Sequence, residues 1–201
     1  MGALIMFTVV QFTMIGRGVA TGERFSALQW LGTLIAFSAM AWLLWPSQDA
    51  SGTAIPIWAA ASMALAGVGW GVYSLIGRGE TAPLLATTGN FARATLLALL
   101  FSLPVLALLP ESMPSTGATI AAIASGAITS GIGYAIWYAA LPGLTRMQAS
   151  IMQLSVPAIA ALGGVLFLNE VLTPRMIIST ALILSGVGAA MMLQRRTVTN
   201  P

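Results

Sequence analysis

Seven stretches of nearly uninterrupted apolar residues, each close to the length a bilayer demands, decide what solvent this chain folds in. The hydrocarbon layer is about 30 Å thick, and a helix needs about 20 residues to cross it. Runs near that length cover residues 27–45, 55–76, 83–109, 116–141, 147–168 and 174–193, and residues 2–16 reach residue 20 by including Arg17. A backbone at that depth has no water to bond to, so each run is expected to be helical. The connections hold the expected breakers, Pro46, Pro56, Pro83, Pro110, Pro114, Pro142 and Pro174. Charged residues make up only 6% of the chain, against about a quarter in a soluble domain. Too little polar surface exists to cover one water-facing core, so the expected fold is an all-α integral membrane bundle of seven transmembrane helices.

Charge gives an orientation. All eight basic residues are Arg, and there is no His or Cys. The sequence pI near 10.2 therefore does not signal a nucleic-acid partner; six of the Arg lie near span ends, where positive charge sets topology. With no Cys there is no disulfide framework and no thiol chemistry. No basic segment precedes the apolar start at Met1, so no signal peptide is read. Arg17, Arg24, Arg78, Arg146, Arg195 and Arg196 fall on one side with Glu23 and Glu80; Arg175 falls on the other with Asp49, Glu111 and Glu170. The richer side is expected in the cytoplasm, which puts the C-terminus inside and Met1 outside. An odd number of helices upstream of Met1 would account for that start.

A faint internal repeat runs at an offset of 147 residues: Glu23 meets Glu170, Ser26 meets Thr173, Ser38 meets Ser185 and Ala41 meets Gly188. The two Glu-bearing loops fall on opposite faces by the loop count, and a repeat that changes sides is the inverted-topology plan of secondary transporters.

More specific stretches are Gly69-Trp70-Gly71-Val72-Tyr73-Ser74, Gly131-Ile132-Gly133-Tyr134 running on to Trp137-Tyr138, Gln153-Leu154-Ser155-Val156-Pro157, Leu168-Asn169-Glu170 and Ile183-Leu184-Ser185-Gly186-Val187. With Gly22-Glu23-Arg24 and Gln29-Trp30-Leu31-Gly32, their order and spacing resemble the EamA family of the drug/metabolite transporter superfamily over nearly the whole chain. The resemblance implies part of a ten-helix fold of two inverted five-helix repeats, lacking the first three helices. Residues 1–46 would close a first repeat, 55–194 would form a complete second one, and 195–201 a cytoplasmic tail. It also implies a secondary transporter in the bacterial inner membrane, exporting a small organic metabolite such as an amino acid by alternating access. The partners are then the lipid bilayer and a small-molecule solute, with a homodimer open. The alternative is a truncated, non-transporting component that packs against another membrane protein.

Few polar residues lie within the spans, so each is a candidate for the solute pathway. Asn90 and Arg93 share a helix face, suited to an anionic solute; the other reading of Arg93 is that it reaches the cytoplasmic headgroups along its stem. Trp70 and Tyr73 share a face of the third span, and Tyr134, Trp137 and Tyr138 a face of the fifth; either set can wall a cavity or form an interfacial belt. Gln153 and Ser155 precede Pro157, which frees backbone carbonyls; their other reading, like that of Gln11 and Gln148, is interhelical hydrogen bonding. Gly67, Gly71, Gly126, Gly163, Gly164, Gly186 and Gly188 read as close-packing positions. The spans hold no acid, and the chain has no Lys, His or Cys. No catalytic residue, metal site or cofactor is therefore expected, and no Walker motif points to ATP.

Overall fold

The computed structural model describes residues 1–46, 56–108 and 114–192. Asp49, Pro110, Glu111, Arg195, Arg196 and the tail 195–201 lie outside the described residues. The helices are α1 (Gly2–Ala20), α2 (Ala27–Leu44), α3 (Ile57–Gly77), α4 (Pro83–Leu108), α5 (Thr116–Ala124), α6 (Gly133–Ala140), α7 (Arg146–Gln153), α8 (Ser155–Leu168) and α9 (Pro174–Met192). A π-helical segment, Ser125–Ile132, joins α5 to α6, and one 3-10 turn, Leu141–Gly143, follows α6. Among the described residues, seven helical stretches are long and apolar enough to cross a membrane, matching the seven runs of the sequence.

Two of those stretches are not the single regular helices that run length alone predicts. The fifth widens to π geometry over Ser125–Ile132, where Gly126 and Gly131 lower the resistance of the backbone. The sixth breaks between α7 and α8 at Leu154, because Pro157 cannot donate to the carbonyl of Gln153.

Local chemistry explains the helix starts. Ser26 with Gln29, and Thr145 with Gln148, form reciprocal capping boxes at α2 and α7. Gln148 is thus a cap residue. Pro83 and Pro174 open α4 and α9, where a missing N–H costs nothing. Asn169 ends α8 in the left-handed region at φ 55°.

The chain forms two compact units. The first comprises Met1–Leu75 with Leu144–Pro201, and the second Ile76–Gly143. In the first, α2 and α9 approach until backbone meets backbone: a Cβ on Gly186 would lie 2.6 Å from the Gly32 carbonyl oxygen, and one on Gly32 would lie 2.7 Å from that of Gly186. Ala36, Ala39, Met40, Leu154, Ala158 and Ile183 fill the core beside this crossing. Arg175, at the start of α9, donates through Nε to the Trp42 carbonyl at 2.8 Å and through Nη2 to Leu43 at 3.2 Å and to Trp45. It so satisfies carbonyls left over at the end of α2 and places a cation at the negative helix end. α3 packs on α1 through Gly67 against the Met6 carbonyl and Gly71 against Thr13. In the second unit, Gly77 admits the Tyr138 ring and Leu141; Tyr138 is buried there and does not stand in an interfacial belt.

The glycine expectation therefore divides. Gly67, Gly71, Gly164 and Gly186 are close-packing positions, whereas Gly126, Gly163 and Gly188 face open space.

Gly186→Val puts side-chain carbon where Gly32 backbone stands. It should lower stability by about 1–3 kcal/mol, the usual cost of overpacking, while Gly188→Ala should change it little. Thermal unfolding in detergent, read by residual monodisperse protein, compares the two.

Candidate functional site

A polar seam inside the first unit gathers groups that hydrocarbon would not tolerate alone. Gln11 and Met14 lie one turn apart on α1, and Ser150 and Gln153 one turn apart on α7. Gln11 Nε2 donates to the Ser150 carbonyl at 3.0 Å, and the Ser150 hydroxyl donates back to Gln11 Oε1. Gln153 Nε2 reaches Ser74 Oγ on α3 at 3.3 Å and Met14 Sδ at 3.4 Å. All five residues are buried, Gln153 to 3% exposure. The amide oxygen of Gln153 has no hydrogen-bond partner among the described residues. An unmet acceptor in such surroundings costs about 1–3 kcal/mol, so the seam offers a receptive atom at membrane depth.

The second unit holds an apolar cavity of about 660 Å³ between α4 and the π segment, lined by Leu84, Thr87 and Phe91 on one side and Gly126, Gly131 and Ile132 on the other. The wider π turn and its glycines leave this room. Phe91 meets the Tyr134 ring edge to face at 5.4 Å.

The sequence candidates are distributed between these places. Gln153 is in the polar seam, bonded to Ser74, which follows Tyr73 on α3. Ser155 is not; its hydroxyl donates to the Met152 carbonyl at 2.7 Å, closing the break ahead of α8. Trp70 and Tyr73 are half-buried on α3, and Tyr134 and Trp137 half-buried on α6. Arg93 is exposed, and its guanidinium folds back beside Gly89. It stands about 155° around α4 from the face that Leu84, Thr87 and Phe91 turn to the cavity, and Asn90 stands about 95° from it. Neither lines that cavity.

Sequence reasoning passed over Ser74, Ser150 and Thr87. Thr87 is 3% exposed with an unpartnered hydroxyl at the cavity wall. Small hydroxyls scattered among Ala and Gly carry no periodic signal, so only their placement reveals them. Among the described residues, no three of His, Cys, Asp and Glu converge to hold a metal ion.

Comparison with known proteins gives this arrangement a family. The EamA-like transporter family matches residues 57–192. The chain belongs to that family. An uncharacterized protein of Pseudomonas aeruginosa is 43% identical over 187 residues, which cover 92% of this chain and 62% of the relative. An uncharacterized transporter of Archaeoglobus fulgidus is 26% identical over 180 residues, covering 88% of this chain and 62% of that protein. The chain thus spans less than two thirds of the length of these relatives. A crystal structure of a protein superposes with a TM-score of 0.73 over 98% of this chain and 69% of that one. At 21% identity that likeness concerns the fold.

The Gln11–Ser150 pair predicts measurable coupling between α1 and α7. A double-mutant cycle of Gln11→Ala and Ser150→Ala, read by unfolding in detergent, should give an interaction energy of about 0.6–1.7 kcal/mol, the span found for bonds between membrane helices.

Proposed function

We propose that this EamA-family chain moves a small organic metabolite, of amino-acid size and polarity, outward across a bacterial inner membrane by alternating access. The observation that carries the reading is the polar seam of Gln11, Ser74, Ser150 and Gln153, with an unsatisfied amide acceptor, inside helices whose other buried neighbours are apolar. Neutral amides and hydroxyls recognise neutral or zwitterionic groups by hydrogen bonding and hold them weakly enough to release them, which a carrier requires. Midplane polar sites served by interrupted helices are a recurring plan in secondary transporters, and α7 and α8 are interrupted one residue from Gln153.

The pairing of repeats supports the same reading. Residues 1–46 serve as the closing helices of one repeat and 55–194 as the other, with α2 and α9 as equivalent elements held together at Gly32 and Gly186. The C-terminus faces the cytoplasm in this arrangement. Arg175, the one Arg expected on the far face, fits there without opposing the charge rule because the carbonyls of α2 hold it.

Two measurements test it. Cells expressing the chain, loaded with labelled amino acids, should export at least one faster than vector controls, and Gln153→Leu should cut that rate by about tenfold, the worth of roughly one hydrogen bond. Equal efflux from chain and vector over the whole panel defeats the reading. A reporter that fluoresces only in the cytoplasm should be bright when fused to the C-terminus; a dark fusion reverses the orientation.

A further inference from the structure

The loop after α1 makes a bond that neither α1 nor α7 needs for its own sake. Gly22, at φ 86°, turns the chain so that the Glu23 N–H donates to the Gly18 carbonyl at 3.0 Å. The Glu23 carboxylate then reaches α7. Its Oε1 accepts from the Arg146 N–H at 3.2 Å and from Arg146 Nη1 at 2.9 Å, and its Oε2 accepts from the Met147 N–H at 3.2 Å. A carboxylate at a helix amino end is favoured by charge-assisted bonds and by the helix dipole. Yet α7 already carries its own cap in the Thr145–Gln148 box. The Glu23 bonds therefore tie two helices together and can break without unwinding either one. Gly18 permits the approach: a Cβ there would lie 3.3 Å from Oε2 and 3.5 Å from Met147 Cγ.

The repeat mate, Glu170, is built the same way. Its N–H donates to the Gly164 carbonyl at 3.2 Å, and its carboxylate lies over Gly164 as that of Glu23 lies over Gly18. The difference is in what the carboxylate holds. Glu170 is exposed and makes no side-chain hydrogen bond or ion pair among the described residues. The span Arg146–Leu168 runs 23 residues, about 35 Å of helix, so the two glutamates stand at opposite membrane faces. The offset of 147 that joins them carries the amino end of α7 onto that of α1.

We propose that Glu23 is a latch that holds the α1–α7 seam shut at one membrane face, and that Glu170 is its counterpart, disengaged here, for the opposite face. Resting on the transport reading above, the structure then represents the state closed at the Glu23 side. Passage to the other state requires the Glu23 bonds to Arg146 and Met147 to part, while the Gln11–Ser150 pair and Gln153 become reachable from that side.

The chain has no Cys, so one introduced thiol reports cleanly. Met147, 3% exposed, lies directly under the latch. In the full chain carrying Met147→Cys, E23Q should raise the rate of modification by a water-soluble maleimide by roughly tenfold, the loss of about one charge-assisted bond. E170Q should leave that rate unchanged or lower it. Ala36→Cys, in the fully buried core beside the α2–α9 crossing, should stay unmodified in all three backgrounds. An unchanged rate in E23Q overturns the latch; so does an equal rise in E170Q, or a parallel rise at Ala36→Cys, either of which signals general loosening. Labelling needs no solute. Expected labelling with no efflux would sink the transport reading and keep the latch as a conformational clasp, whereas efflux with flat labelling would do the reverse.

Discussion

Helices in hydrocarbon gain nothing by hiding apolar side chains from their surroundings, so they are joined by close contact and by polar bonds. The α2–α9 crossing meets that condition through Gly32 and Gly186, whose missing side chains let two backbones touch. Everything else in the first unit is arranged around it. The core residues Ala36, Met40, Leu154 and Ile183 pack beside the crossing, and Arg175 fastens one end of the pair. A pair fixed at two separate places along its length is a frame. The α1–α7 seam differs in kind, being held by amides, hydroxyls and a carboxylate, each of which can exchange one partner for another.

The two Glu-bearing loops share a feature in the structure that residue identity could not supply. A few matches at one offset, in an alphabet dominated by Ala, Leu, Ile and Gly, say little. Glu23 and Glu170, however, share a construction: an N–H bonded to the carbonyl of a glycine on the preceding helix, and a carboxylate laid over that glycine. The spacing is five residues in one case and six in the other, so an offset search at fixed register aligns the acids and misses the glycines.

The spans were legible because lipid imposes one length and one composition on each of them, and six of the runs end within a few residues of the observed helices. The π segment was not legible, since Gly126 and Gly131 look like ordinary packing glycines until the backbone is seen to widen. Of the candidate pathway residues, Gln153 was readable because a buried amide must find partners, though not that Ser74 and Met14 would supply them. Arg93 was conspicuous by its charge, yet it turns away from the cavity beside it. Charge is easily read from a sequence. Direction around a helix is readable only relative to a neighbour, and the sequence does not say which neighbour.

The two kinds of glycine contact also differ in how they can be repaired. At Gly71 the obstacle to a larger residue is the side chain of Thr13, its Cβ included, and replacing that residue by glycine would restore the room. At Gly32 and Gly186 the obstacle is in each case the carbonyl oxygen of the other, an atom every residue carries. No second substitution can shave it away. These two positions should therefore yield no local suppressors in a genetic screen, and would be held as glycine by the geometry of the peptide group itself.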